Sequence, residues 1–190
     1  MLNLDNLKLR PMHRDDLDAV LRWRNAENVR RNMHDDHEIS AAEHAAWFAD
    51  TQHDAQCDWL MAVYGSKYVG VVGITHIDQR NSTCTWSMYL SNEMFLPGVG
   101  ALMEFRVIDR IIEVHKIRKI WGETLSSNRT LLAMHRKFGF IEEGVFRQHV
   151  RRDDGYEDVV RCALFADQWA AIRAKLLTSL TSPRPMKAQG

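Results

Sequence analysis

Apolar and polar positions alternate along Leu7-Lys8-Leu9-Arg10, which predicts a short strand. Asp15-Asp16-Leu17 then opens a helix through Trp23-Arg24-Asn25. Leu17, Val20, Leu21 and Arg24 recur at helical spacing, and the acids suit the positive end of the helix dipole. A second short helix is predicted from Glu27 to Met33. Ser40-Ala41-Ala42-Glu43 has the form of a capping box, with Ala45, Trp47 and Phe48 following in helical register. Trp59 to Tyr64 and Tyr68 to Ile77 read as strands about a tight turn at Gly65-Ser66-Lys67, and Thr83 to Leu90 as a third. Leu102 to Val114 reads as a helix buried along Leu102, Phe105, Val107, Ile108, Ile111 and Ile112. Lys119 to Leu125 is strand-like, and Asn128 to Phe138 is a helix stopped by Gly139. Val145 to Val150 and Tyr156 to Phe165 are closing strands around Asp153-Asp154-Gly155, and Ala166 to Leu180 is a final helix.

Strands in runs with helices between them imply a mixed sheet covered on both faces, an α/β (α+β) architecture. With 190 residues, one good core and not two is expected. Residues 1–180 are read as a single domain and 181–190 as a flexible tail. Lys+Arg and Asp+Glu number 25 each, so the formal net charge is zero. That balance removes the electrostatic argument for a nucleic-acid or anionic-membrane partner. Cys57, Cys84 and Cys162 lie far apart, without Cys-x-x-Cys spacing, and suggest neither a zinc site nor a disulfide framework. No basic, then apolar, leader opens the sequence, and no apolar run reaches the roughly 18 residues of a membrane helix. A cytoplasmic protein is the simplest expectation.

The chemistry concentrates in the loop Leu96-Pro97-Gly98-Val99-Gly100-Ala101 between a strand and a long helix. Its glycines allow close backbone approach to a ligand, and the unbonded amides of the helix start suit a pyrophosphate. No Gly-Lys-Ser/Thr follows, and the G-x-G-x-x-G spacing fails at Met103, so neither a P-loop nor a dinucleotide fingerprint is present. After the next strand come Ser126-Ser127-Asn128 and a helix carrying Met134-His135-Arg136-Lys137-Phe138-Gly139-Phe140. Together these resemble the GNAT superfamily of N-acetyltransferases, from about Leu7 to Trp169. The superfamily pattern is Gln/Arg-x-x-Gly-x-Gly/Ala, then a helix that opens with Asn and ends in Tyr-x-x-x-Gly-Phe. The resemblance implies the GNAT fold, a mixed, mostly antiparallel sheet of about six or seven strands flanked by helices on both faces. It implies acetyl-CoA as cosubstrate, held by Tyr89, Leu90, Leu96, Gly98, Val99, Gly100, Ala101 and Asn128. There are two departures: Phe95 stands where the family has Gln or Arg, and His135 stands in the place of a tyrosine general acid.

The amino-terminal half narrows the likeness. Trp23-Arg24-Asn25, Val29-Arg30-Arg31-Asn32-Met33, Asp36-His37-Glu38-Ile39-Ser40 and Glu43-His44-x-x-Trp47-Phe48 are similar to the N-acetyltransferases of pseudaminic acid biosynthesis. So are Glu143 to Val150 and Tyr156 to Val160. That likeness implies acetylation of the 4-amino group of a UDP-linked 4-amino-4,6-dideoxy sugar. Arg24 and His44 would supply positive charge for the diphosphate, and Met33 and Trp47 apolar walls. Glu123 is a candidate base, with an exposed strand carboxylate as the alternative. The backbone amide near Leu90 would meet the oxyanion. His135 would protonate the leaving thiolate, since imidazole titrates near neutrality, or would contact the cofactor without proton transfer.

Other features read as structural. His34-Asp35-Asp36-His37-Glu38 is a loop and not a metal site. Arg151-Arg152-Asp153-Asp154 is a solvated hairpin tip, Trp86 and Trp169 are core, and the serines before Asn128 belong to a helix cap. A protein amino-terminal acetyltransferase and a non-catalytic acyl-CoA-sensing module stay open as alternatives. Pairing of carboxyl-terminal edge strands would give a homodimer.

Overall fold

In the computed structural model, residues 2–94, 96–153 and 155–182 are described. Seven strands form one sheet: β1 (Leu7–Pro11), β2 (Asp58–Tyr64), β3 (Lys67–Asp78), β4 (Thr83–Leu90), β5 (Lys119–Leu125), β6 (Ile141–Arg152) and β7 (Gly155–Phe165). The helices are α1 (Leu17–Asn25), α2 (Glu27–Arg30), α3 (Ala41–Thr51), α4 (Val99–Glu113), α5 (Arg129–Lys137) and α6 (Ala166–Thr181). Strand order is β1-β2-β3-β4-β5-β7-β6, antiparallel throughout except for β4 beside β5.

The alternating side chains of the central strands divide the core in two. Leu60 and Val72 face one layer with Leu102, Phe105, Ile108, Phe138 and Trp169 from α4, the end of α5 and α6. Their neighbours Met61 and Val71 face the other, with Val20, Trp23 and Phe48 from α1 and α3. Both sheet faces are therefore covered, which is why β3 reads as the apolar run Val69 to Ile74 instead of a polar alternation.

The predicted elements are present, with shifts at their ends. The Ser40 capping box forms as expected: Glu43 N donates to Ser40 Oγ at 3.2 Å and Ser40 N to Glu43 Oε2 at 2.8 Å. α2 ends at Arg30 instead of Met33, and β6 starts at Ile141 instead of Val145. α4 begins at Val99, so part of the glycine loop is its first turn. Helix α6 runs to Thr181, and the rest of the expected tail from Pro183 lies outside the described residues, as does Phe95.

One feature of the sheet makes a site. β3 and β4 pair up to Leu90, whereas β4 and β5 pair only where Thr83, Cys84 and Thr85 meet Lys119, Ile120 and Trp121. Beyond Thr85 the two strands part. Trp86 fills the base of the fork, its ring lying where a Cβ on Gly122 would stand (2.8 Å).

Candidate active site

The fork leaves one edge of β4 without a strand partner. Ser91 N donates to Val69 O at 2.9 Å, so that amide points towards β3. Amide direction alternates along a strand, so the Leu90 N–H points the other way, into the fork. This is the position expected of an oxyanion donor. Tyr89 is half-buried and packs with the α1 and α3 layer, and burial raises its phenol above the usual range.

The glycine loop stands beside it. Gly98 has φ +89°, the left-handed region, and caps α4. Val99 is buried and Leu96 packs on the core, so the loop is anchored from within. Val99 N donates to Leu96 O at 3.1 Å and Leu102 N to Gly98 O at 3.2 Å. Among the described residues the amides of Gly100 and Ala101 have no acceptor, the open donor pair that a helix start offers an anion. A Cβ on Gly100 would come to 3.4 Å from the Leu90 side chain, so loop and strand end touch. These residues fit a pyrophosphate and a thioester side by side. Asn128 caps α5 with its Oδ1, which accepts from Leu131 N at 3.2 Å.

His135 lies deeper than a helix-surface residue. It is 4% exposed and lies between Trp86 (ring centroids 5.4 Å) and Phe140 (5.0 Å). Its Nε2 is 3.8 Å from Oε1 of Glu104, a fully buried residue of α4 that accepts from Trp86 Nε1 at 3.3 Å. Burial pushes the imidazole down to about 4 and the Glu104 carboxyl up to about 7. At 3.8 Å, with the imidazole neutral, the two are neighbours and not an ion pair. Burial thus disfavours the protonated imidazole that a thiolate-protonating acid would use. Sequence reasoning missed Glu104 altogether, although an acid inside the apolar face of α4 was a visible signal.

Glu123 lies on the opposite face of the sheet from Gly122. Arg161 Nη1 holds its Oε1 at 3.1 Å, and the same guanidinium lies 3.8 Å over the Trp121 ring. A role as base requires release of that ion pair.

The residues assigned to the acceptor divide into two groups. Arg24 Nη2 donates to Asp35 O at 2.8 Å, and among the described residues its Nη1 is buried without a partner, as is Nε of Arg30. Burial lowers the Arg24 guanidinium, which nonetheless stays a cation, and its charge is felt by Tyr89 at the end of β4. Met33 belongs to the same loop, and its carbonyl accepts from Arg152 at 2.6 Å. His44 and Trp47, in contrast, stack on each other on α3 (centroids 4.9 Å), with Trp47 edge-on to Trp59 at 4.6 Å. His44 is 5% exposed, and burial lowers its imidazole. Burial therefore works against the positive charge that the likeness implied for it. Of the expected solvated hairpin tip, Arg151 and Asp153 are exposed and Asp154 lies outside the described residues, whereas Arg152 departs from the expectation: it is tucked in, its side chain 14% exposed.

No group of three or more His, Cys, Asp or Glu able to hold a metal occurs among the described residues, and none of their helices is long and apolar enough to cross a membrane.

A forked mixed sheet, an oxyanion-type amide and a glycine-capped helix start at the fork define an acyl-CoA-using transferase. The chain matches the acetyltransferase (GNAT) domain family over residues 6–141, and it belongs to that family. N-acetyl transfer from acetyl-CoA is the activity of this class. Solved structures agree in fold. Spermidine N-acetyltransferase from Vibrio cholerae, in complex with CoA and spermine, superposes with TM-score 0.82 at 18% identity, covering 87% of this chain and 99% of that one. A chimaera of the Vibrio cholerae enzyme and hSSAT gives 0.77 at 20%, covering 90% and 98%. The dodecameric Vibrio cholerae enzyme in an intermediate state gives 0.75 at 18%, covering 87% and 96%. Among curated proteins nothing matches.

Proposed function

We propose that the chain, as one domain over residues 1–180, acetylates the 4-amino group of a UDP-linked 4-amino-4,6-dideoxy sugar by direct transfer from acetyl-CoA. The observation that carries this reading is a pair of buried guanidinium nitrogens left without hydrogen-bond partners among the described residues. Arg24 Nη1 and Arg30 Nε are buried donors without partners, whereas the nearby acids are engaged: Asp35 by His37 at 2.6 Å and Asp36 by Arg152 at 2.9 Å. Buried guanidinium donors ask for an anion, and a diphosphate matches their geometry. A polyamine, the ligand of the Vibrio cholerae structure, would bring cations to cations.

In this reading the acceptor nitrogen attacks the thioester carbonyl, the C–S bond breaks, and the nitrogen's proton passes to water. The open amides of Gly100 and Ala101 serve binding: they hold the pyrophosphate, while the Leu90 N–H stabilises the oxyanion. Tyr89, Leu96 and Asn128 would line the cofactor's path, and Met33 the acceptor's. A thiol titrates near ~8.5, so the departing thiolate needs no strong acid, and a buried neutral His135 is compatible with turnover. Holding amine and thioester together supplies most of the rate. With acetyl-CoA and a nucleotide sugar as substrates, this reading has the chain act in the cytoplasm. A homodimer belongs to the same reading: β6 is an edge strand with Ile141, Val145 and Phe146 exposed, a template for a second copy that sedimentation would reveal.

The test is to follow free thiol release from acetyl-CoA with UDP-4-amino-4,6-dideoxy-β-L-AltNAc, spermidine and amino-terminal peptides in parallel. Release with the sugar alone, lost in Arg24→Ala, is expected. Release with peptides or spermidine and none with the sugar would sink the acceptor assignment. Tight acetyl-CoA binding with no release on any amine would turn the reading to an acyl-CoA sensor.

A further inference from the structure

At the exposed tip of the β6–β7 hairpin one side chain turns inward. Its last β6 residue, Arg152, pairs with Gly155 across the turn and sends its side chain to three places at once. Nη2 donates to Met33 O at 2.6 Å and Nη1 to Asp36 Oδ2 at 2.9 Å, both in the segment between α2 and α3. Nε lies 3.6 Å from Oε2 of Glu157 on β7. The other oxygen of that carboxylate accepts from Ser127 N at 2.8 Å, at the corner where β5 turns into α5. Ser126 N donates to Asp158 O at 2.9 Å beside it. One guanidinium thus joins a loop more than a hundred residues away to the corner that leads into the Asn128 cap.

The backbone is shaped for this reach. Register shifts at Glu142/Gly144 and Phe146/Val150 interrupt the β6–β7 ladder, and Gln148 takes φ +48°. Bulges of this kind bend a strand and re-aim its end. Gln148 N and Arg147 Nη1 both bond Asp158, at 2.8 and 2.6 Å, which holds the bend. The segment from Arg31 to Glu38 is not helical and mostly exposed; Met33 N on Arg30 O (2.9 Å), Arg24 on Asp35 O (2.8 Å) and the Arg30–Glu38 pair (3.6 Å) tie it to α1 and α2, and Arg152 ties it to the β6–β7 hairpin.

We propose that Arg152 is a positioning residue, a strut that holds the Met33–Asp36 segment against the β5–α5 corner and so sets the acceptor pocket relative to the cofactor fork. This rests on the reading that Arg24 and Met33 face the acceptor. Arg24 donates to Asp35 O within the strutted segment, so a shift of that segment moves the guanidinium that the acceptor meets. A planar fork with three engaged nitrogens is what the site uses. Lysine, a single point charge, can reach one or two of these partners but not all.

The experiment compares full-length parent, Arg152→Gln and Arg152→Lys by hydrogen exchange of residues 31–39, acetyl-CoA binding by calorimetry, and steady-state kinetics with the UDP-aminosugar named above. Expected for Arg152→Gln is at least tenfold faster exchange in 31–39 with β3 as protected as in the parent. The acetyl-CoA Kd should stay within twofold, while KM for the sugar rises tenfold or more and kcat changes less. Arg152→Lys should recover part of both the protection and the KM. Unchanged exchange in 31–39 would overturn the strut. So would acetyl-CoA Kd and sugar KM rising together with general loss of protection, which marks mere destabilisation. A parent inactive on the sugar overturns the acceptor assignment instead, and the exchange data still decide the strut.

Discussion

At the scale of single residues, burial does most of the chemistry. Glu104 is wholly enclosed, with Trp86 Nε1 on one oxygen and nothing hydrogen-bonded to the other. Its folded-state pKa is raised to about 7 from an ordinary value of 4.5. The stability it contributes is therefore complete below about pH 4.5 and lost as pH rises through 7, because the unfolded chain releases that proton more readily. Glu104→Gln removes the dependence. The melting temperature of the variant should gain on the parent as pH rises from 5 to 8, by on the order of 3 kcal/mol in stability; a constant difference across that range would sink the assignment. His135 acts in the opposite sense, its stabilisation complete above about pH 6.5 and lost as pH falls towards 4. Gly98 is a backbone case. At φ +89° an alanine costs about 1–2 kcal/mol, and its Cβ would come to 3.3 Å from Leu2. Gly98→Ala should lower the melting temperature by several degrees and raise KM for acetyl-CoA, whereas an unchanged KM would remove the loop from the cofactor site. The two residues differ in how far the sequence revealed them. Gly98 stood out because the G-x-G opens a long apolar helix and is followed by the strand and the Asn128 helix that carry the family pattern. The environment of Glu104 was not, because it depends on Trp86 and His135 arriving from elements 18 and 31 positions away in sequence.

At the scale of elements, the strands and helices followed from periodicity and caps, while the fork between β4 and β5 did not. Thr83 to Leu90 and Lys119 to Leu125 look alike as strands, and nothing in their alternation says that pairing stops after Thr85. The cause is visible only in three dimensions, where Trp86 on one strand occupies the space over Gly122 on the other. α5 shows the reverse situation, a helix whose limits the sequence marked well. Asn128 caps its start, Phe138 closes it, and Gly139 at φ +85° turns the chain away. Since Asn128 Oδ1 is spent on Leu131 N, its first duty is structural. Asn128→Ala should cost about 1 kcal/mol, and Asn128→Asp, which keeps a capping oxygen, much less. Thermal melts of both variants check this. If acetyl-CoA affinity falls in both while only the alanine loses stability, the amide nitrogen also serves the cofactor.

At the scale of the whole molecule, a zero formal net charge changes what salt should do. No long-range field draws an anionic acceptor in, so attraction has to come from cations held at the site. Arg24 and Arg30 are such cations, within each other's field and half-buried near the end of β4. Two like charges stay close here because Asp35 and Asp36 stand beside Arg24 and Glu38 lies 3.6 Å from Arg30. A diphosphate arriving between them relieves that repulsion, and salt weakens the gain as the Debye length shrinks from about 10 Å at 0.1 M to about 3 Å at 1 M. KM for the UDP-aminosugar should therefore rise several-fold between 0.05 and 0.5 M NaCl, with kcat changing little. In Arg24→Gln the starting KM should be higher and the salt dependence shallower. A cationic acceptor makes the opposite demand: the same salt would lower its KM by screening it from the two arginines. Measured at saturating acetyl-CoA, the sign of the salt effect on KM thus reports the charge of the true acceptor, even before the sugar itself is known.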